Sequence, residues 1–149
     1  MAEKYFKRHE AEELLPVIGQ SLEEARKQKR ALDSLSADIS NAALRIMMLG
    51  GSFPPFAELN RKKTQRDKVA EQLARTVDEI QQTGCLIKDL EMGLVDFPSR
   101  RGDEEVYLCW KLGEAHIGYW HGIEEGFAGR KPLDEAQSED EPPRSSRLQ

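Results

Sequence analysis

The sequence contains few of the features that hold a small secreted protein together or anchor a protein in a membrane. It has two cysteines, Cys85 and Cys109, which form no CxxC pair. We expect both to be reduced, packed thiols, and a Cys85–Cys109 disulfide is the less favoured alternative. No stretch approaches the roughly eighteen unbroken apolar residues that a membrane span requires, and residues 1–10 contain no apolar run of the kind found in a signal peptide. We therefore expect a cytoplasmic protein without membrane contacts.

Apolar and aromatic residues are also scarce. Hydrophobic residues make up 38% of the chain, aromatic residues 7% and charged residues 33%, which is less apolar and more charged than an average globular domain. This composition favours an elongated helical structure with much surface. The net charge of −5 is uneven, because residues 1–83 carry 14 basic and 13 acidic side chains whereas residues 84–149 carry 8 and 14. An acidic C-terminal part is a poor match for phosphate backbones, so nucleic-acid binding is disfavoured.

The strongest positive signal is a helical periodicity in the first half of the chain. Alternate steps of three and four residues from Leu15 to Ile46 meet an apolar residue at eight of ten positions. Such residues lie on one stripe of a helix, and the stripe must pack against a partner. Pro16 lies near the start of the stripe, and proline is tolerated in a first turn but kinks a helix interior. The pattern therefore predicts a short leading turn over residues 8–15 and a main helix over residues 16–48.

A second helix is predicted to return alongside the first. Residues 50–55 contain two glycines and two prolines, which end a helix. Residues 56–83 then show a second apolar face, and Gly84 follows as a helix-terminating residue. Because a short connection makes two long amphipathic helices antiparallel neighbours, residues 1–84 are predicted to form a coiled-coil-like antiparallel helical hairpin.

The spacing of apolar residues changes after this hairpin. Three short segments rich in β-branched and aromatic residues are predicted to be strands: residues 85–90, 93–98 and 105–110. Residues 113–132 are irregular and rich in glycine and aromatics, and residues 134–149 are expected to be a disordered tail because they lack apolar periodicity. The predicted fold class is α+β and predominantly α, with a small β-containing module over residues 85–133 packed on the hairpin.

Histidines and carboxylates concentrate in this C-terminal module. His116 and His121 lie five residues apart near Glu114, and a sheet could bring in further carboxylates and a thiol. Imidazole and carboxylate suit a divalent transition metal or a general acid–base pair, although the spacing matches no standard motif. The candidate ligands are Glu114, His121, Asp96 and Asp89, with His116 and Cys109 as weaker candidates. A structural histidine hydrogen-bonded to a carboxylate is the interpretation we favour.

Two other groups of side chains admit a functional interpretation. Trp110, Tyr119, Trp120 and Arg130 could line a pocket, but large aromatic side chains in so short a module more often form its core. A basic group near the hairpin tip could contact RNA or an acidic protein surface; it consists of Arg61, Lys62, Lys63 and Arg66. Acidic residues flank these bases and no aromatics interleave with them, so a solvated helix face is favoured.

Four segments of the C-terminal module together resemble a known protein family. They are Gly93–Pro98, Val106–Glu114, Tyr119–His121 and Gly126–Leu133. With the opening residues 5–16, they are similar to the bacterial family catalogued as domain of unknown function 2203. The resemblance covers about residues 5–133 and implies that the family pattern includes Asp96, Glu114, Trp120, His121 and Arg130. It also implies that His116 is variable, which leaves Glu114 with His121 as the better metal-binding pair. The family has no established activity, so the resemblance implies no function.

From these patterns we expect a non-enzymatic interaction protein. The hairpin would be a spacer or docking arm, and the C-terminal module would be a binding head. The partner would be another protein or a second copy in a dimer. The alternative is a metal- or small-ligand-binding protein, including an enzyme, that uses Glu114 and His121. A third hypothesis is contact of the basic hairpin tip with RNA or the ribosome.

Overall fold

A computed structural model describes residues 4–49 and 56–133. Helices α1 (Arg8–Met48) and α2 (Phe56–Gln82) pack against each other as a hairpin. A five-stranded sheet follows, in which each strand is antiparallel to its neighbours and the spatial order is the chain order. The strands are β1 (Leu86–Asp89), β2 (Leu94–Arg101), β3 (Glu104–Lys111), β4 (Tyr119–Gly122) and β5 (Lys131–Pro132), with a short 3-10 helix, Phe127–Gly129, between the last two. The predicted α+β class, with a helical hairpin first, is confirmed.

Helix α1 begins earlier than predicted. The predicted leading turn over residues 8–15 is wrong, because these residues belong to one continuous helix of 41 residues with Pro16 inside it. The backbone N–H just before the helix donates to the Glu10 carboxylate at 2.8 Å and satisfies part of the helix N-terminus. Ala11 and Leu15 are buried in the main core. We attribute the early start to this burial, which outweighs the one backbone hydrogen bond that Pro16 removes.

The hairpin contributes to two separate apolar clusters. Near the free end of the hairpin, which is the end away from the sheet, a small buried cluster is formed by Ile39, Ala42 and Leu59. Near the sheet, Ile18 of α1 and Ile80 of α2 belong to the main core. The predicted helix stop at residues 50–55 lies outside the described residues. Within the described ranges, neither helix is long and apolar enough to span a bilayer.

One face of the sheet completes the main core. The β2–β3 register pairs Val95 with Trp110 and Phe97 with Leu108, and all four side chains are buried with those of both helices. The ring of Phe6 meets that of Phe97 edge-on, with 5.2 Å between centroids. The predicted division at residue 84 stays a prediction, and the core contains residues from both sides of it.

The sequence patterns predict three of the five strands. Strands β4 and β5 lie within residues 113–132, where the sequence pattern is irregular and predicts no strand. β4 has four residues and ends at Gly122, and β5 has two residues and includes Pro132. Segments this short contain no readable alternation, so their conformation depends on pairing with neighbouring strands. The predicted tail over residues 134–149 lies outside the described residues.

Candidate functional site

The face of the sheet opposite the helices brings three candidate ligands together. Asp96 on β2 lies opposite Cys109 on β3, and Cys109 lies opposite Tyr119 on β4. His121 follows two residues after Tyr119, and alternate residues of a strand project from the same face. The imidazole of His121 therefore projects from the same face as the Asp96 carboxylate and the Cys109 thiol.

These three side chains form a tight, buried cluster. The Nε2 atom of His121 lies 3.0 Å from Oδ2 of Asp96, and one potential ligand atom from each of the three residues lies within 4.8 Å of the other two. Asp96 is 1% exposed, Cys109 0% and His121 2%. Within residues 4–49 and 56–133, no other group of three or more His, Cys, Asp or Glu side chains is close enough to share an ion.

The hydrogen bonds of His121 require a proton or a cation between its Nε2 atom and the Asp96 carboxylate. Nδ1 lies 2.8 Å from the carbonyl oxygen of Gly122, which can only accept, so Nδ1 is the protonated nitrogen. In a neutral imidazole Nε2 is then an acceptor, and it faces a carboxylate oxygen that is also an acceptor. Two acceptors 3.0 Å apart require a proton or a cation between them. The second carboxylate oxygen of Asp96, Oδ1, is buried and has no hydrogen-bond partner.

The Cys109 thiol is held in its protonated form. Burial, followed by the nearby Asp96 carboxylate, raises the pKa of Cys109 to about 12, and the Arg130 guanidinium opposes this rise only in part. A thiol with so high a pKa is a poor nucleophile at neutral pH. A metal ion, by contrast, displaces the proton of a thiol that coordinates it. Both cysteines of the chain are free and buried, which confirms the prediction of two unpaired thiols.

Glu114 has a different partner from the one the resemblance implied. Its Oε1 atom accepts from the Arg130 guanidinium at 2.8 Å and from the backbone N–H of Lys111 at 2.9 Å. Burial alone would raise the pKa of Glu114, but the Arg130 and Lys111 hydrogen bonds outweigh it and hold that pKa below its ordinary value. Glu114 is therefore an ionised partner of Arg130, and the carboxylate that meets His121 is that of Asp96.

The remaining candidate ligands lie outside the buried cluster. The Asp89 carboxylate accepts from the backbone N–H of Met92 at 2.9 Å in the turn after β1. His116 is exposed in the β3–β4 connection. Cys109, a weaker candidate from the sequence, belongs to the buried cluster, and its position opposite Asp96 can be read from the sequence. If Gly102 and Asp103 form the two-residue turn between β2 and β3, counting outward from that turn places residue 96 opposite residue 109.

Two of the four candidate pocket residues stack on each other, since the guanidinium carbon of Arg130 lies 4.0 Å from the ring centroid of Tyr119. Trp110 is 4% exposed in the main core, and its indole N–H donates to the carbonyl oxygen of Glu114 at 2.9 Å. Trp120 is half-buried and packs against the main core, and the cationic groups of Arg101 and Lys131 lie 4.3 Å and 4.7 Å from its ring centroid. An open depression of about 620 Å³ passes this indole and is otherwise lined mainly by acidic side chains. The core interpretation thus suits Trp110 and, in part, Trp120, and a shared ligand pocket stays a prediction.

The basic residues near the hairpin tip lie among acidic ones. Lys62 lies 3.9 Å from Glu58 and 4.0 Å from Asp38, and Arg66 lies 3.1 Å from Asp67. Arg61 and Lys63 are exposed on the same helix. These pairs suit a solvated helix face, and contact with RNA stays a prediction.

Comparison with known proteins identifies a family but no function. A family model described as an uncharacterized conserved protein, DUF2203, matches residues 4–133. No curated protein and no solved structure matches the chain.

Proposed function

The chain belongs to the DUF2203 family of uncharacterized conserved proteins, and because that description names no activity, we propose from the site itself that the protein binds a transition-metal ion at Asp96, Cys109 and His121. The observation that carries this proposal is the pair of buried acceptors, Nε2 of His121 and Oδ2 of Asp96, 3.0 Å apart. Since Nδ1 of His121 is committed to the Gly122 carbonyl, the lone pair of Nε2 points into the cluster. A metal ion supplies the positive charge that these two acceptors require.

The three donor types favour zinc among the common metals. One thiolate, one imidazole and one carboxylate form a mixed ligand set that suits a borderline-soft ion such as Zn²⁺ and does not suit Mg²⁺ or Ca²⁺. Zinc in proteins is usually four-coordinate. The unpartnered Oδ1 of Asp96 offers a fourth donor atom in a site that is closed to solvent.

The surroundings of His121 resemble the second shell of known metal sites. A histidine that binds a metal through one ring nitrogen usually donates the other N–H to a carbonyl or carboxylate, which fixes the tautomer and the ring orientation. The Gly122 carbonyl is such an acceptor, at 2.8 Å from Nδ1. Its place is fixed because Gly122 pairs with Val106 of β3.

The charge of the cluster also stays balanced when a divalent ion binds. Without metal, one proton between Nε2 of His121 and Oδ2 of Asp96 balances the carboxylate charge, and the Cys109 thiol is neutral. With metal, the two positive charges of the ion balance the carboxylate and the Cys109 thiolate, and the imidazole is neutral. The ion therefore replaces two protons, and no net charge is buried in either state, which avoids a large desolvation cost.

Metal titration of the metal-free chain tests this proposal. We expect one Zn²⁺ per chain by competition with a chromophoric chelator, and a loss of affinity of about a hundredfold or more in Cys109→Ala and Asp96→Asn. Cys85→Ala is the matched control, because Cys85 is equally buried and free but lies outside the cluster. Absence of zinc binding by folded wild type, or equal losses in Cys85→Ala and Cys109→Ala, would contradict the proposal. The first of these outcomes would leave His121 and Asp96 as a structural ion pair.

An apolar surface at the free end of the hairpin favours a second function, self-association. Met47 and Met48 are 77% and 78% exposed, and Leu44, Leu49 and Phe56 are each more than half exposed. Five such side chains present on the order of 500 Å² of apolar surface, at the upper end of what single soluble chains expose. A specific dimer buries about 800 Å² per partner, so the end of a second copy is an occupant of suitable size.

Sedimentation equilibrium tests this second candidate. We expect the wild type to dimerise reversibly and Met48→Glu to be monomeric. Val17→Glu is the control, because Val17 is also exposed on α1, at 60%, but lies far along the helix from this surface. A wild type that stays monomeric at high concentration, or dissociation by both variants, would contradict it.

A further inference from the structure

The cluster of Asp96, Cys109 and His121 is buried even though it lies on the sheet face that the helices do not cover. Val95, Phe97 and Leu108 project toward the helical core, and the cluster residues occupy the alternate positions of the same strands. On the His121 side, the ring of Tyr107 covers the imidazole, with 5.5 Å between centroids. The Cys109 side must be covered by another part of the chain.

That cover is the side chain of Arg130. Its guanidinium donates to the Cys109 carbonyl at 3.3 Å and lies close enough to the Cys109 thiol to affect its pKa. It also stacks on Tyr119, with its central carbon 4.0 Å from the ring centroid, and Tyr119 is the neighbour of Cys109 across the sheet. The Arg130 side chain is only 12% exposed, and Glu114 holds it by an ion pair of 2.8 Å.

The segment that carries Arg130 is attached less firmly than the strands that carry the ligands. Residues 123–128 are all exposed. Glu125 ties the segment to β4 and β5 by accepting from the backbone N–H of Gly122 at 2.7 Å and by pairing with Lys131. β2 and β3, in contrast, are paired over eight consecutive residues. Segments with few buried contacts open at lower cost than the core around them, so opening this cover costs less than displacing Asp96 or Cys109.

We propose that Arg130 is a positioning residue that gates the cluster: its ion pair with Glu114 closes the path to Cys109, and metal enters or leaves when this pair breaks. The inference rests on the proposed metal site and adds a route of access to it. It predicts that Glu114→Gln changes the rates of metal exchange much more than the equilibrium affinity, because neither Glu114 nor Arg130 supplies a ligand. A purely structural role would weaken binding without this separation of rate from affinity.

The experiment measures rates of Zn²⁺ loading and of chelator-driven Zn²⁺ release by stopped-flow mixing with the full chain. We expect Glu114→Gln and Arg130→Ala each to raise both rates about tenfold, with the dissociation constant changed less than about threefold. Arg100→Ala is the control for loss of a positive charge on the sheet, since Arg100 is exposed and contacts Tyr5 and Asp103. Unchanged rates in both folded gate variants would overturn the inference.

A second readout keeps the gate testable if the wild type binds no zinc. In a Cys85→Ala background, Cys109 is the single remaining thiol, and its reaction with a small uncharged alkylating reagent reports on access. Glu114→Gln leaves the Arg130 charge beside the thiol, and we expect it to speed alkylation about tenfold, whereas Arg100→Ala does not. An unchanged alkylation rate overturns the gate. Failure of zinc binding alone overturns the metal proposal and not the gate.

Discussion

The buried pair of His121 and Asp96 leads to an asymmetric prediction about stability. Both side chains are almost fully buried, at 3% and 2% exposed. In metal-free His121→Ala, the Asp96 carboxylate loses the hydrogen bond to Nε2 and keeps an Oδ1 atom that has no partner. Leaving a buried carboxylate without a partner costs about 3–5 kcal/mol, because its charge stays in the interior. This is a large fraction of the roughly 5–15 kcal/mol that stabilises a typical domain.

Asp96→Asn is predicted to cost far less in the same metal-free protein. The Asn amide N–H can donate to Nε2 of His121, while Nδ1–H continues to donate to the Gly122 carbonyl, so a neutral imidazole is satisfied at both nitrogens. A neutral hydrogen bond then replaces an ionic one, at a cost of about 1 kcal/mol. Asp96→Asn should nevertheless weaken metal binding to the extent stated above, because an amide is a poor zinc ligand.

The assay is urea unfolding of metal-free protein at pH 7, followed by circular dichroism. Wild type, His121→Ala and Asp96→Asn are compared at equal denaturant slope, so that differences in midpoint report differences in the free energy of unfolding. Equal losses in the two variants would refute the reasoning, because they would mean that the Gly122 carbonyl does not fix the tautomer of His121.

Three further predictions follow from the fold and the pKa shifts. Pro16→Ala should stabilise the protein by about 1–3 kcal/mol in thermal unfolding, because it restores a backbone hydrogen bond inside the continuous helix α1; a loss of stability would contradict the account of Pro16. Phe97→Ala should cost about 3–5 kcal/mol in urea unfolding, because Phe97 is fully buried and contacts Phe6, and a cost below about 1 kcal/mol would contradict the described core. The free energy of unfolding should fall as pH rises from 9 toward 12, because Cys109 ionises above its ordinary pKa of 9.0 in the unfolded chain, whereas the folded thiol stays protonated to about 12. Cys109→Ala should reduce the dependence of this free energy on pH. An unchanged pH dependence in that variant would contradict the raised pKa.

The sequence alone was sufficient to predict those helices and strands whose pattern of apolar residues lies within one continuous segment. The stripe from Leu15 to Ile46 is periodic within one segment and must be buried, so the helical hairpin can be predicted without knowing its partner. The same holds for the three strands rich in β-branched residues. The start of α1 was not predictable in this way, because the local effect of Pro16 opposes helix continuation, and burial of Ala11 and Leu15 in a core built by distant residues decides the outcome.

Only the tertiary structure decided which side chains meet. Glu114 and His121 are seven residues apart in the chain, yet the β3–β4 connection directs Glu114 to Arg130, and the sheet register directs His121 to Asp96, which is 25 residues away. Hydrogen bonds between strands join residues that are far apart in the sequence. A shift of the strand register by one residue would turn every side chain of that strand to the other face. The residue types therefore indicated that metal ligands were available, whereas the pairing of β2, β3 and β4 determined that Asp96, Cys109 and His121 form the buried cluster.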